Sequence, residues 1–292
     1  MPAIAARLAE LRTSRRETSE ALSGLTEAQL ALPAAWRGRR SDVRYLLLRL
    51  ADADEERRVA LGLALDALDW RQPEAARILG GRLGVVRAAL VGVPVDAYRQ
   101  RPSPADWSVG QTLEHMRIVE ERYLIQTEWA AERLAAPDLP MRVPDDRMPA
   151  IPAEPVPAPT VTEEVARLES IAADVDSRLS TLDGPTLLAP SGWSGWDIDV
   201  RFRLHRFGAH ARQHAVQIAK TLFALGWHQS EAQQILAQAE VARAALEGAL
   251  LGLPDELADR AAGSLPSVDA LLDQALSDEE ATRIAVAAAT EA

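Results

Sequence analysis

Sliding the chain along itself by 157 residues lays residues 11–70 over 168–227 without a gap, and 18 of the 60 positions are identical. Chance would give roughly a quarter of that in a composition this rich in alanine and leucine. The shared positions include Leu22/Leu179, Leu25/Leu182, Pro33/Pro190, Trp36/Trp193, Asp42/Asp199, Val43/Val200, Arg44/Arg201, Arg49/Arg206 and Trp70/Trp227. A weaker echo at offsets of 159 or 160 links Gly92/Gly252, Pro94/Pro254, Ser108/Ser267, Val109/Val268, Glu120/Glu279 and Glu121/Glu280. The chain therefore reads as four helical hairpins in the order A, B, A′, B′.

Alanine and leucine recur at helical spacing, and no stretch alternates apolar and polar residues as a half-buried strand does, so the expected class is all-α. Helix starts are chemically legible. Ser108 with Gln111, Thr160 with Glu163 and Ser230 with Gln233 fit the capping box, and Pro73 suits a first helical position. Helices are expected near 3–24, 41–69, 73–91, 108–134, 161–182, 198–225, 230–251 and 266–289. Between about 135 and 160 repeated prolines prevent a helix, which gives either a linker or the long crossover of a four-helix bundle.

Composition removes several functions. Cysteine is absent, so thiolate zinc sites, iron–sulfur clusters and a cysteine nucleophile are excluded, and metal chemistry falls to histidine and carboxylate. A formal charge of −11 repels a phosphate backbone, and the run Arg37, Arg39, Arg40 is too short to reverse it, so nucleic acid is not an expected partner. Arg7 and Glu10 fall where a signal peptide needs its apolar stretch, and no run approaches the length of a membrane span. A soluble cytoplasmic protein is expected.

There are five histidines. His210 and His214 stand at i and i+4, so both rings project from one helix face and can meet at one ion, although such a pair alone is more often solvated or core. His115 lies about two turns into the helix begun at Ser108; alone it reads as a hydrogen-bonded core histidine. His205 is about 140° round the helix from His210 and faces elsewhere. His228 follows Trp227 at a helix end. The repeat supplies a contrast, because His210, His214 and His115 correspond to Ala53, Arg57 and Gln274.

The stretch Trp107-Ser-Val-Gly-Gln-Thr-Leu-Glu-His115 resembles the W-S-x-x-x-x-L-x-H helix start of the DinB/YfiT-like superfamily, and His210-Ala-Arg-Gln-His214-Ala-Val-Gln217-Ile resembles its H-x-x-x-H-x-x-Q-I ending. The resemblance covers about residues 73–227. It implies an up-down-down-up four-helix bundle in which His115, His210 and His214 hold a divalent ion such as zinc or nickel. It also implies a metal-dependent enzyme on a small-molecule substrate, with bacillithiol-, mycothiol- or glutathione-dependent S-transferases and a maleylpyruvate isomerase among the members. The terminal hairpins depart from the single-bundle pattern.

The expected organisation is an N-terminal hairpin at 1–72, a metal-binding bundle at 73–227 with its crossover at 135–160, and a C-terminal hairpin at 228–292, the outer hairpins forming a degenerate second bundle. The sequence-order pairing of A with B is the alternative. Thiol-dependent S-transfer and hydrolysis are the expected reactions, and a non-catalytic metal or small-molecule binder, or a homodimer, remains open. Gln217 is expected to orient a ligand or touch substrate, and Glu114 either supports the site or belongs to a solvated face. Arg201 and Arg206 are candidate anchors whose plainer reading is structural pairing with acidic neighbours. Trp107, Trp193 and Trp196 either roof the site or belong to the core.

Overall fold

The computed structural model describes residues 4–36, 38–193 and 195–291; Arg37 of the short basic run lies outside the described residues. In chain order the elements are α1 (Ile4–Leu22), α2 (Glu27–Leu30), β1 (Pro33–Trp36), β2 (Arg39–Asp42), α3 (Val43–Ala67), α4 (Glu74–Leu79), α5 (Gly84–Leu90), α6 (Val95–Arg99) and α7 (Val109–Ala135). They continue with α8 (Val161–Leu179), α9 (Gly184–Leu187), β3 (Pro190–Trp193), β4 (Trp196–Asp199), α10 (Val200–Ala224), α11 (Glu231–Ala249) and α12 (Val268–Glu291). Among the described residues the fold is all-α apart from two hairpins, each of two four-residue strands. Among the described residues no helix is long and apolar enough to cross a membrane.

The three expected capping boxes form at Ser108, Thr160 and Ser230, and a fourth, Thr26 with Gln29, starts α2. The helix expected over 73–91 is instead broken into α4 and α5. Its interior holds Gly80 and Gly81, and Gly81 takes a φ of 71° that ends the first piece.

The chain divides into two compact units, one of Met1–Arg71, Arg87–Gly92 and His228–Ala292, the other of Gln72–Val86 and Val93–Trp227. In the second, the helices meet round a closed ring: α4 against α10, α10 against α7, α7 against α8 and α8 against α4. Leu168, Ala172, Val175 and Leu179 repeat along one face of α8 and are buried with Leu113 and Met116 of α7 and Leu204 and Ile218 of α10. In the first unit the ring runs α11, α3, α12, α1 and back to α11.

The hairpins set the starts of α3 and α10. Their registers correspond, Pro33 opposite Asp42 and Pro190 opposite Asp199, and Gly38 and Gly195 turn them with φ of 77° and 86°. Asp42 and Asp199 then cap α3 and α10, accepting from the amides of Tyr45 at 2.8 Å and Phe202 at 2.7 Å. The first turn of each helix carries a matching ion pair, Arg44 to Glu231 at 2.5 Å in the first unit and Arg201 to Glu74 at 2.6 Å in the second.

The first unit encloses a charged cluster. The Asp54 carboxylate, fully buried, accepts from Arg15 at 2.8 Å, Arg243 at 2.9 Å and Arg57 at 3.2 Å. Glu279 meets Arg15 at 2.7 Å and Arg243 at 3.0 Å. Arg57 also donates to the Gln274 carbonyl at 3.3 Å and pairs with Asp278. Burial works against ionisation of Asp54, but Arg243 and Arg15 overcome it and hold the carboxyl below its ordinary range.

In the second unit a different carboxyl is strained. Glu164 has no exposed surface and accepts from the Ala158 amide. Burial, offset by that amide and reinforced by the Glu114 carboxylate, pushes it up to about 7. A raised acid costs nothing below its ordinary value near 4.5, and the cost grows as pH rises through the interval to about 7. Glu164→Gln keeps an acceptor for Ala158 and removes the charge. Urea unfolding should therefore show the variant stabilised by about 3 kcal/mol at pH 8 and unchanged at pH 4; an equal effect at both pH values would contradict this account.

Candidate metal centre

The cap at Ser108 fixes the start of α7, with Ser108 Oγ accepting from the Gln111 amide at 3.1 Å, and so fixes the depth at which His115 emerges. The cap at Asp199 does the same for α10, which presents His210 and His214 one turn apart. Because α7 packs on α10, the three rings meet. One ligand atom from each lies within 4.8 Å of the others. His210 Nε2 is 2.8 Å from His214 Nε2, and the ring centroid of His115 is 5.5 Å from that of His210 and 5.1 Å from that of His214.

Burial lowers all three imidazoles. His210 is pushed down to about 3 by burial and then by His214 and His115, His115 to about 4 by burial and then by His214, and His214 is also lowered, chiefly by burial. Neutral rings present lone pairs, the state a metal ion requires. His115 Nδ1 is buried with no hydrogen-bond partner among the described residues. His214 Nδ1 lies 2.8 Å from Gln217 Oε1, an acceptor that places the proton on Nδ1 and leaves Nε2 for the cluster. The donor set therefore fits one divalent ion.

The other expected residues divide. Gln217 touches His214, and Trp107 packs on His115 with ring centroids 4.9 Å apart. Glu114 is buried and pairs with Arg117 at 2.7 Å, so it does not belong to a solvated face. Arg201 pairs with Glu74. Among the described residues Arg206 does not pair with an acid as the plainer reading held; its guanidinium lies 4.8 Å from the Trp193 ring, as Arg49 lies 5.9 Å from Trp36 in the first unit. The core reading of the tryptophans also needs correction. Trp196 is 71% exposed, because it faces outward at the hairpin turn opposite Trp193. His205 and His228 are exposed and outside the cluster.

Residues not singled out from the sequence complete the surroundings. Tyr123 of α7 lies edge-on to His210 with ring centroids 5.8 Å apart. A cavity of about 470 Å³ reaches His115 and His210; Tyr123, Trp193 and Arg203 line it, and Met141, Met148 and Ile151 of the proline-rich crossover form its wall. The crossover is held in place where Trp129 Nε1 donates to the Pro140 carbonyl at 2.9 Å and Arg133 Nε to that of Leu139 at 3.1 Å.

Comparison with the curated proteins and with the solved structures found no match. Residues 82–218, which include all three clustered histidines, match the model of the DinB superfamily.

Proposed function

Since residues 82–218 match the model of the DinB superfamily, we propose that this chain is a metal-dependent enzyme acting on a small molecule, with His115, His210 and His214 holding one divalent ion, zinc or nickel. The observation that carries this is the convergence of three imidazoles, two of which, His115 and His210, line a cavity large enough for a small substrate. A divalent ion held by three histidines supplies Lewis acidity to a water or thiol that reaches it. Thiol-dependent S-transfer, with a low-molecular-weight thiol as cosubstrate, and hydrolysis are the two reactions this favours.

The chain's own residues bind, orient and exclude. Gln217 fixes the tautomer and ring plane of His214. Trp107 and Tyr123 close the sides of the cluster against water, and the crossover limits what enters. The access that the cavity gives to His115 and His210 favours an enzyme over a closed, non-catalytic binder.

Calorimetric titration of metal-stripped, untagged protein with zinc and with nickel should show one site per chain, and loss of turnover on chelation should follow in assays pairing thiols with electrophiles and in ester or amide hydrolysis. Absence of a stoichiometric ion sinks the proposal. Gln217→Ala should weaken ion affinity by about 10–100-fold, the usual effect of losing the partner that orients a ligand; unchanged affinity would show that His214 is oriented without it.

A further inference from the structure

We propose that Arg203 is the anion anchor of this cavity and that the substrate carries a carboxylate there, about two helical turns from the histidine cluster. The placement of the substrate's other end rests on the metal-site reading above; the anchor itself does not.

Arg203 is 1% exposed, and its guanidinium donates to Ser191 Oγ at 3.1 Å, to the Gln126 side chain and to the Gly192 carbonyl. Every one of these acceptors is neutral. Among the described residues no carboxylate lies within ion-pair distance of it, whereas the comparably buried Arg15 and Arg243 meet Asp54 and Glu279, and Arg82 meets Glu120 and Asp176. A buried cation without an anion is costly, and a carboxylate seated beside it would offset that cost. Burial pushes this guanidinium down to about 10, with only Tyr123 acting the other way.

The internal repeat argues against a purely structural role. At the 157-residue offset Leu46 stands in the place of Arg203 and Ala34 in the place of Ser191. The β1–β2 hairpin nevertheless keeps the register of β3–β4. Leu46 is buried, so the position is filled equally well by an apolar side chain, and folding of the hairpin does not require a guanidinium.

Position gives the charge its use. Arg203 lines the same cavity as His115 and His210. It precedes His210 by seven residues on α10, nearly two full turns, so both side chains leave the same face about 10 Å apart along the axis. Arg122 lines the cavity as well and donates to the Pro149 carbonyl rather than to an acid. With Arg142 the lining holds three arginines against one carboxylate, Asp145, in a chain of net charge −11. A carboxylate seated on Arg203, the most buried of them, can make the paired hydrogen bonds that a planar guanidinium offers. The reacting end of a molecule on the order of 10 Å long then lies at the histidines.

Two probe pairs test this on the full chain by calorimetry: 6-mercaptohexanoate against 6-mercaptohexanamide on zinc-loaded protein, and hexanoate against hexanamide on metal-stripped protein. The wild type should prefer the acid by about 10-fold or more in both pairs, and Arg203→Gln should reduce the preference to about 2-fold or less while zinc uptake stays stoichiometric. Arg203→Lys should retain part of it. Equal binding of acid and amide by the wild type overturns the anchor whether or not the variants fold, and so does a folded Arg203→Gln that keeps the full preference. Failure of zinc to bind, with hexanoate still preferred in the stripped protein, removes the metal reading and leaves the anchor standing.

Discussion

His210→Ala should leave the purified, untagged protein without its ion while the helical fold persists. His210 is the most buried of the three rings at 8% exposure and sits between the other two interactions of the cluster, 2.8 Å from His214 Nε2 and packed against Tyr123. Removing it leaves His115 and His214, too few donors for a stable site in a cysteine-free chain. Loss of a group that merely orients a ligand costs about 10–100-fold in affinity, so loss of the ligand itself should exceed about 100-fold. The fold should survive, because Ala53 occupies the corresponding position of α3 and is buried there at 4% exposure. Elemental analysis alongside circular dichroism reads both parts. A variant that keeps one ion per chain would falsify the assignment, and one that unfolds would show that the rings are needed for packing.

The largest loss of stability is expected from Asp54→Ala. This carboxylate is the shared acceptor for Arg15, Arg243 and Arg57, none more than slightly exposed. Truncation leaves Glu279 to face Arg15 and Arg243 alone and leaves Arg57 with Asp278. Breaking a buried ion pair from one side costs about 3–5 kcal/mol, and denaturant unfolding should show a loss of that size. The pH dependence has a definite sign. Since the folded carboxyl is held below its ordinary value near 3.8, its contribution is complete above that value and disappears as pH falls through the lower folded value. Wild type and variant should therefore converge in strong acid; a gap that persisted there would point to lost packing in place of lost charge.

Much of the scaffold was legible because helix starts are local chemistry. Ser108, Thr160 and Ser230 each need only a partner three residues ahead, and all three boxes form. The hairpins were missed because Pro-Ala-Ala-Trp and Pro-Ser-Gly-Trp do not alternate in polarity and each strand is only four residues long. A signal was present in Gly38 and Gly195, which follow the repeated tryptophans at the same offset and take positive φ. The Gly80-Gly81 break was overlooked because the apolar spacing of Leu79, Leu83 and Val86 continues across it. Within the candidate site, the spacing of His210 and His214 allows a shared ion and the motif resemblance singles them out, whereas nothing in the sequence marks Arg203. All but one of the 32 basic residues are arginine, and a buried unpaired guanidinium differs from an ion-paired one such as Arg201 only in what surrounds it. Tyr123 and the crossover wall were likewise invisible until tertiary packing brought them to the cavity.

The crossover between α7 and α8 has a consequence for how such a protein can diversify. The histidines stand on long helices whose ring of contacts tolerates little change, while Met141, Met148 and Ile151 hang from a segment with no helix longer than the single turn Asp145–Arg147. Residues there can be exchanged, inserted or deleted without shifting the register of α7 or α10. One wall of the cavity thus lies in the part of the chain that inheritance can revise most freely, while the clustered histidines and Arg203 lie in the part that helix packing holds.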